Sequence, residues 1–303
     1  MGSAHARRGA QPPGPPFVFL TALLSLFFLS AAPVYAERRE VLRSPYDAAV
    51  ASAYAPFDLR GPDLARDSGV KIIGGIAPHH DVAIEMILRF YAAVRENREV
   101  RRVFLFAPDH FRQVRRWAAV CPADWAHFAD LPGVLSADFE AVSILGGSSF
   151  VEMRPEIFEK EHGITLHIPL VARFFPGATV VPILLRPDIP DIALLSLRKR
   201  LAGIMREGDM IILSMDLSHY KTPAGLHAED DRTIPVLTQM RHAELRGLDI
   251  DAPRAAALAL LLLRDLGAKS GTLLERTDTS EVSGEFIESG TSYATIVYGF
   301  SLF

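Results

Sequence analysis

Short apolar runs separated by amphipathic stretches dominate the sequence from residue 70 to its end. The predicted strands span 70–77, 102–107, 117–122, 178–185, 209–215, 271–277 and 292–300, and most of them are apolar runs about as long as a buried strand. Apolar residues at helical spacing fall over 82–95, 137–145, 162–175, 192–205, 228–246 and 253–267. Continuous apolar strands that alternate with helices are typical of a sheet covered on both faces. The sequence therefore predicts one three-layer α/β domain, with a mostly parallel or mixed sheet between helices.

The first 36 residues are typical of a secretory signal peptide. Arg7 and Arg8 give a basic start, residues 17–31 are apolar, and Val34-Tyr35-Ala36 matches the pattern that a signal peptidase reads. We expect cleavage after Ala36 and export of the mature chain, to the periplasm or out of the cell. An uncleaved membrane anchor is the alternative, although the apolar run is shorter than the roughly 20 residues that span a bilayer.

Residues 37–68 are mixed in composition and weakly periodic, and we expect an N-terminal extension that packs on the outside of the domain. The α/β domain then occupies residues 69–303. The net charge of −4 gives no basic field, so nucleic acid is not an expected partner. Cys121 is the only cysteine, which excludes an intramolecular disulfide, and its apolar neighbours are typical of a buried thiol.

Removal of the signal peptide predicts a mature protein that begins at Glu37. The intact mass of natively expressed protein measures this directly. A full-length mass in the cytosolic fraction would contradict export.

Ligand-type side chains follow three of the predicted parallel strands. The strand ends read I-A-P-H-H-D (76–81), F-A-P-D-H-F (106–111) and S-M-D-L-S-H-Y (214–220). A single histidine is more often an ordinary core or surface residue. Ligands bind beyond the carboxyl ends of parallel strands, however, so the three turns can share one crevice. The two Ala-Pro-x-His turns, in which proline ends the strand and fixes the turn, pair His80 with His110.

A fourth stretch, E-H-G-I-T-L-H (161–167), carries two histidines at a different spacing. His162 and His167 are five residues apart, so they do not share one helix face as a zincin pair does. We expect Glu161 and His162 at the cleft and His167 deeper, where the alternative is a core histidine with a backbone partner. The sequence has no G-x-S-x-G elbow, Walker loop or G-x-G-x-x-G, which removes the usual support for a hydrolase or nucleotide-binding function.

These stretches, together with VVPILL and TSYATIVY, resemble in their order the Memo family, whose bacterial members are called AmmeMemoRadiSam system protein B. The matching segments are 76–81, 106–111, 161–171, 180–185, 214–220 and 291–298. The fold of that family is similar to that of class III extradiol dioxygenases, which use non-haem Fe(II). The resemblance implies an α/β sheet domain with a metal-type pocket at the strand ends.

The resemblance also implies roles for particular residues. The two metal-binding histidines of the family fall on His79 and His110. The aspartate of its S-x-D-x-x-H motif falls on Asp216, with His219 beside it. The family therefore selects His79, whereas the Ala-Pro-x-His pattern selects His80, which we place next to the ligands.

One departure from the family concerns a further ligand. Memo proteins usually offer a cysteine before the penultimate helix, and the corresponding stretch here, L-D-I-D-A-P, holds Asp249 and Asp251 instead. A carboxylate in place of the thiolate gives two histidines and a carboxylate, a set that suits harder metals. The other interpretation is that Asp251 caps the helix that begins near Pro253, which is a common role of aspartate and the one that the sequence favours.

Two functional hypotheses follow. The first is a non-haem metal-dependent oxidoreductase, similar to a dioxygenase, that uses a divalent metal such as Fe(II). Its metal ligands are His79 and His110, and Asp216 or Asp251 completes the set. Its acid–base group is His162 or His219, the former being the first histidine of the family's E-H-x-x-x-x-H motif. The second is a non-catalytic metal- or peptide-binding protein that docks a protein partner. In either case a small molecule or peptide occupies the pocket, and a membrane is contacted only by an uncleaved signal segment.

Overall fold

A large mixed sheet forms the middle layer of the fold. The computed structural model describes Gly2 and residues 40–56, 70–127 and 133–301. The strands are β1 (Val41–Arg43), β2 (Val70–Ala77), β3 (Arg102–Pro108), β4 (Ala118–Val120), β5 (Asp124–His127), β6 (Gly133–Leu135), β7 (Val151–Met153), β8 (Thr179–Leu185), β9 (Asp209–Ser214), β10 (His219–Lys221), β11 (Ser270–Asp278) and β12 (Gly290–Ser301). The helices are α1 (Asp47–Tyr54), α2 (Ile84–Asn97), α3 (Phe139–Gly146), α4 (His162–Thr165), α5 (His167–Phe174), α6 (Asp191–Ile204), α7 (Pro223–Thr238), α8 (Pro253–Asp265) and α9 (Thr279–Ser283).

Parallel strands form the centre of this sheet. The order across it is β10-β12-β2-β9-β3-β8-β4-β7, and β11 pairs with β12 outside this path. β2, β9, β3 and β8 run parallel to one another. β12 and β4 flank them in the antiparallel direction. The sheet is therefore mixed, with all four central strands ending at the same edge.

Alternate residues of the central strands face opposite sides of the sheet, as the period of two requires. In β3, Phe104 and Phe106 belong to a core cluster that includes residues of α6 and α8. Val103 and Leu105 belong to a second core cluster, which includes residues of α2 and α5. Helices thus cover both faces, and the prediction of a three-layer α/β domain is confirmed.

Two adjacent glycines in β2 allow both helix layers to approach the sheet closely. A Cβ atom on Gly74 would lie 2.5 Å from Cδ2 of Leu263, which comes from α8. A Cβ atom on Gly75 would lie 2.4 Å from Cε2 of Phe90, which comes from α2, and 2.7 Å from the carbonyl oxygen of Ile296. The first strand of the domain is therefore sandwiched too tightly for any side chain at these positions.

The stretch predicted as one helix over 162–175 is in fact two helices, α4 and α5, which meet at Leu166. Pro169 explains the break, because it has no N–H to donate to the carbonyl of Thr165 and its ring crowds that carbonyl. The hydroxyl of Ser44 donates to the Thr165 oxygen instead, at 2.6 Å. A residue of the N-terminal segment thus supplies the hydrogen bond that the helix cannot make.

Helix α7 has other bounds than the sequence predicts, and five short strands were not predicted. The helix predicted over 228–246 begins earlier and ends earlier, as α7. The Thr222 side chain caps its start, and Met240 adopts a left-handed φ of 56° just beyond its end. Strands β1, β5, β6, β7 and β10 were not predicted, because three or four residues carry no clear periodicity.

The N-terminal segment is described over residues 40–56, where it is part of the outer layer. β1 pairs in parallel with β5, and Leu42 and Val50 are buried within the second core cluster. The predicted signal peptide, residues 1–36, lies outside the described residues except for Gly2. Within the described ranges, the structure contains no helix with the length and apolarity needed to cross a membrane.

The thiol of Cys121 is fully buried, as the sequence predicts. Burial raises the pKa of this thiol to about 12, so it is inert at neutral pH.

Gly75→Ala is expected to lower the free energy of unfolding by about 1–3 kcal/mol, because the new methyl group forces Phe90 or the β12 backbone to move. Denaturant unfolding monitored by circular dichroism measures the change. Gly203→Ala, in a helix with open space around it, is the matched control and should stabilise the protein by roughly 0.5–1 kcal/mol. Equal effects from both substitutions would contradict the close approach.

Candidate metal centre

The turns after β2, β3 and β9 meet at one edge of the sheet because these strands are parallel. The amide of Met215 donates to the carbonyl of Ala77 at 3.1 Å, which extends the pairing of β2 and β9 beyond the strand ends. The amide of Asp109 donates to the carbonyl of Leu185 at 3.0 Å, which does the same for β3 and β8. The backbone that carries the candidate ligands is therefore held by ladder-type hydrogen bonds.

His79 is almost completely buried, at 1% exposure, and both ring nitrogens have close neighbours. Its Nδ1 lies 3.0 Å from Oγ of Ser214, the last residue of β9. Its backbone N–H donates to Oδ1 of Asp216 at 3.1 Å. Its Nε2 lies 3.0 Å from Oδ2 of Asp251 and 3.6 Å from Oδ2 of Asp216. Ser214 thus fixes the ring so that Nε2 faces the two carboxylates.

His110 is oriented in the same manner by Glu161. Its Nδ1 lies 2.6 Å from Oε1 of Glu161, and its backbone N–H donates to Oε2 at 3.1 Å. Glu161 also caps α4 by accepting a hydrogen bond from the amide of Gly163 at 3.3 Å. The free nitrogen of His110, Nε2, lies 3.5 Å from Oδ2 of Asp251. Histidine held at one nitrogen by a carboxylate, with the other nitrogen free, is the usual arrangement of a metal ligand.

His162 completes a group of three histidines. Its ring stacks on that of His110 with centroids 4.1 Å apart, and it lies 4.9 Å from the ring of His79. One ring nitrogen from each of the three lies within 4.8 Å of the others. Burial and the neighbouring His79 and His110 lower the pKa of His162 to about 4, so its imidazole is neutral at pH 7.

Asp251 does not cap a helix, and the interpretation that the sequence favoured is wrong. The N-cap of α8 is Ala252, and no side chain makes a capping hydrogen bond there. The Asp251 carboxylate, only 12% exposed, instead turns toward His79 and His110. Burial raises the pKa of this carboxyl, but the two histidines outweigh burial and hold it well below its usual range. Asp249 is directed elsewhere, in an ion pair with Lys221.

The arrangement fits a cation better than it fits a set of hydrogen bonds. Among the described residues, neither oxygen of Asp251 has a hydrogen-bond partner of acceptable geometry, and Oδ2 of Asp216 also lacks one. Buried oxygens without partners are costly, and a cation satisfies them. Nitrogen and oxygen atoms of His79, Asp216 and Asp251 lie within 4.8 Å of one another. These groups could therefore hold a divalent metal ion.

The pKa values of His79 and His110 are raised by the carboxylates around them. Burial lowers the pKa of His110, but the nearby carboxylates of Asp251 and Glu161 outweigh burial and raise it to about 10. The pKa of His79 is also raised, because Asp216 and Asp251 outweigh the effect of burial. In the metal-free protein, these carboxylates favour the protonated form of both imidazoles, which supplies positive charge that a cation would otherwise supply.

The remaining histidines of the motifs lie at the margin of this group or outside it. His80 is 39% exposed and places Nδ1 2.6 Å from Oδ2 of Asp216, beside the ligands. His167 is fully buried, with Nδ1 3.0 Å from the Tyr91 hydroxyl, and burial lowers its pKa to about 3. His219 begins β10, where its ring contacts Tyr220, and it belongs to neither of the two groups formed around His79 by described residues.

Sequence reasoning placed Glu161 at the cleft, but it did not predict that Glu161 and Ser214 orient the two histidines. The position of Glu161 directly before His162, at the start of a helix, is the signal that could have marked it as a cap. Ser214 has no such signal, because the last residue of a strand can face either side of the sheet.

Fold and side chains together define an α/β protein with a candidate metal centre at the carboxyl ends of its parallel strands. The family model described as Memo-like protein matches residues 32–297. The chain therefore belongs to the Memo-like family, as the resemblance of its motifs predicts.

Similar proteins include relatives from archaea. A MEMO1 family protein of Nitrosopumilus maritimus is 25% identical over 238 residues, which covers 74% of this chain and 84% of that protein. A MEMO1 family protein of Pyrobaculum arsenaticum is 23% identical over 277 residues, covering 87% of this chain and 95% of the relative. A solved structure, that of the uncharacterized protein JW3007 from Escherichia coli K12, aligns with a TM-score of 0.49 and 13% identity over 75% of this chain and all of the other.

His79→Ala and His110→Ala are each expected to remove most of the bound metal, because each deletes a ligand nitrogen. Asp251→Asn should do the same, since an amide carries no charge to balance the cation. Elemental analysis of protein purified without a metal-affinity tag measures the metal. Thermal unfolding of the metal-free forms should stay cooperative, because these side chains lie outside the core clusters.

His219→Ala is the matched control and should retain its metal, since His219 lies outside both groups of described residues. Full metal content in Asp251→Asn, or in both histidine variants, would contradict the shared site.

Proposed function

We propose that this protein is a non-haem metal-dependent oxidoreductase in which His79, His110 and Asp251 hold a divalent ion, Fe(II) being the first candidate. One observation carries the proposal. Oδ2 of Asp251 lies 3.0 Å from Nε2 of His79 and 3.5 Å from Nε2 of His110, yet it lacks a hydrogen bond of acceptable geometry among the described residues. Two imidazole nitrogens therefore lie within 3.5 Å of one carboxylate oxygen.

Two histidines and a carboxylate are the donor set of many non-haem Fe(II) oxygenases, and nitrogen and oxygen donors suit Fe(II), Mn(II) or Zn(II) better than Cu(I). Asp216 supplies a second carboxylate on the same side, 3.6 Å from Nε2 of His79. When bound, such an ion supplies Lewis acidity and, in the case of Fe(II), one-electron chemistry. The chain itself positions the donors, through Ser214 and Glu161.

His162 is the proposed proton carrier of the site. It is 25% exposed, compared with 1% for His79, so a substrate can reach it. Its lowered pKa, about 4, keeps the imidazole of His162 neutral at pH 7. A neutral imidazole can accept a proton from a substrate hydroxyl. Its stacking on His110 keeps it beside the metal ligands. The catalytic role predicted for His219 stays a prediction and is not needed for this proposal.

A small molecule is the proposed substrate, because partly exposed imidazole rings give it access to the site. His80, His110 and His162 are the partly exposed members of the group. We also propose that the mature protein acts after export, which rests on the N-terminal sequence. A non-catalytic metal- or peptide-binding role, with a docked partner, is the alternative that the experiments below separate.

Metal competition is the first test. Wild-type protein is expected to take Fe(II), Mn(II) or Zn(II) in preference to Cu(I), whereas Asp251→Cys should shift the preference toward Cu(I), because thiolate is a softer ligand. Anaerobic competition titrations with a chromophoric chelator measure the order. Asp249→Cys is the matched control, since Asp249 pairs with Lys221, and should not shift the preference. A wild-type preference for Cu(I) would contradict the assigned donor set.

Catalysis is tested by oxygen uptake of the Fe(II)-loaded protein over a panel of small aromatic and aliphatic metabolites. His162→Ala should keep its iron and lose most of the uptake. Iron binding without uptake of oxygen for any compound would favour the non-catalytic role. Absence of binding of Fe(II), Mn(II) and Zn(II) alike would overturn the metal-dependent function.

A further inference from the structure

A separate cavity of about 260 Å³ opens at the same edge of the sheet, between the ends of β3 and β8. Its lining residues are Asp109, Arg112, Val114, Arg186, Pro187 and Asp188. The histidines of the metal centre do not line it, although Asp109 directly precedes His110 in the chain. The carboxyl ends of two parallel strands therefore frame a second crevice beside the first.

The acidic groups in this cavity are already satisfied. Asp109 is 4% exposed, and its carboxylate accepts hydrogen bonds from the amides of Gln113 at 2.9 Å and Val114 at 2.8 Å. Asp188 accepts two hydrogen bonds from Arg186, at 2.8 and 2.6 Å. Neither carboxylate is therefore left to repel an anion without a compensating donor.

The guanidinium of Arg186 is fixed by two neighbouring side chains, Trp117 and Asp188. It stacks over the ring of Trp117, 4.7 Å from the centroid. The two hydrogen bonds with Asp188 use Nε and Nη2, so Nη1 has no hydrogen bond to any described residue. A guanidinium fixed by stacking and by one carboxylate loses little freedom when it binds a ligand.

Arg112 has an unpaired guanidinium on a strained backbone. Among the described residues its side chain makes no hydrogen bond or ion pair. Its φ is 52°, a left-handed conformation that glycine adopts at much lower cost. The amide of Arg112 donates to the carbonyl of Asp109 at 3.3 Å, and the Asp109 side chain holds the next two residues. These hydrogen bonds hold the turn, and the Arg112 charge lies near Asp188, whose pKa it helps to lower.

We propose that this cavity binds an oxyanion group, a carboxylate or a phosphate, between the guanidiniums of Arg112 and Arg186. The paired N–H donors of a planar guanidinium match the oxygen atoms of a carboxylate or a phosphate, and the hydrogen bonds between them are strong because both groups are charged. Arg115 and Arg116 add positive charge to the same loop, in a chain of net charge −4. The site goes beyond the proposed metal chemistry and does not depend on metal occupancy.

The proposal is tested by titrating the metal-free full chain with inorganic phosphate and with succinate. The ionic strength is kept constant, so that the screening of charges does not change during the titration. Saturable binding of at least one anion is expected, measured by calorimetry and by tryptophan fluorescence, because Trp117 lies under Arg186. Trp117→Phe assigns the optical signal, since Trp125 is fully buried. Comparison of the two anions distinguishes a phosphate ligand from a carboxylate ligand.

Arg112→Gln is expected to weaken the binding by about tenfold or more, because it removes a charged donor. Arg115→Gln, with the same change of net charge on the same loop, should weaken it by less than about twofold. Arg112→Gly should also lose the binding while its melting temperature equals or exceeds that of wild type, because the strain is relieved. Absence of saturable binding of both anions to the wild type, or equal weakening by Arg112→Gln and Arg115→Gln, would overturn the proposal.

Discussion

Burial of three carboxylates at one edge of the sheet is the constraint on which the site depends. Glu161 is 1% exposed, Asp216 is fully buried, and Asp251 is 12% exposed. Buried charge is costly unless it is paired, so each carboxylate must face a donor or a cation. Glu161 meets this requirement with His110 and an amide of α4, which fixes a ligand and starts a helix with the same group.

The layers of the fold and the edge that carries the site could be predicted from sequence, because both depend on local patterns. Apolar runs define buried strands, and the residues after parallel strands share an edge whatever the rest of the chain does. This reasoning identifies His110 and the turn that holds His79 and His80, but the Ala-Pro-x-His pattern selects His80, and only the family resemblance selects His79. Asp251 is not identified in this way, since Asp-Ala-Pro before a helix is locally a capping sequence, and only contacts with distant histidines give it another role.

The division of the 162–175 stretch shows the same limit. Pro169 is visible in the sequence, but the residue that replaces its missing hydrogen bond, Ser44, lies 121 positions from Thr165. Local periodicity predicts a helix on both sides of the break and says nothing about the break itself. The N-terminal segment therefore contributes to the geometry of the helix that carries His162, although its sequence indicates only a mixed extension.

The position of β2 in the sheet has a consequence for the order in which the chain can fold. β2 lies between β9 and β12, with Gly75 in register with Ile212 on one side and Val297 on the other. β2 cannot be paired on both sides until β12, near the end of the sequence, has been synthesised, and such distant pairings form slowly. If the chain is exported, as the first 36 residues predict, late pairing of β2 with β12 is compatible with passage across a membrane before folding is complete.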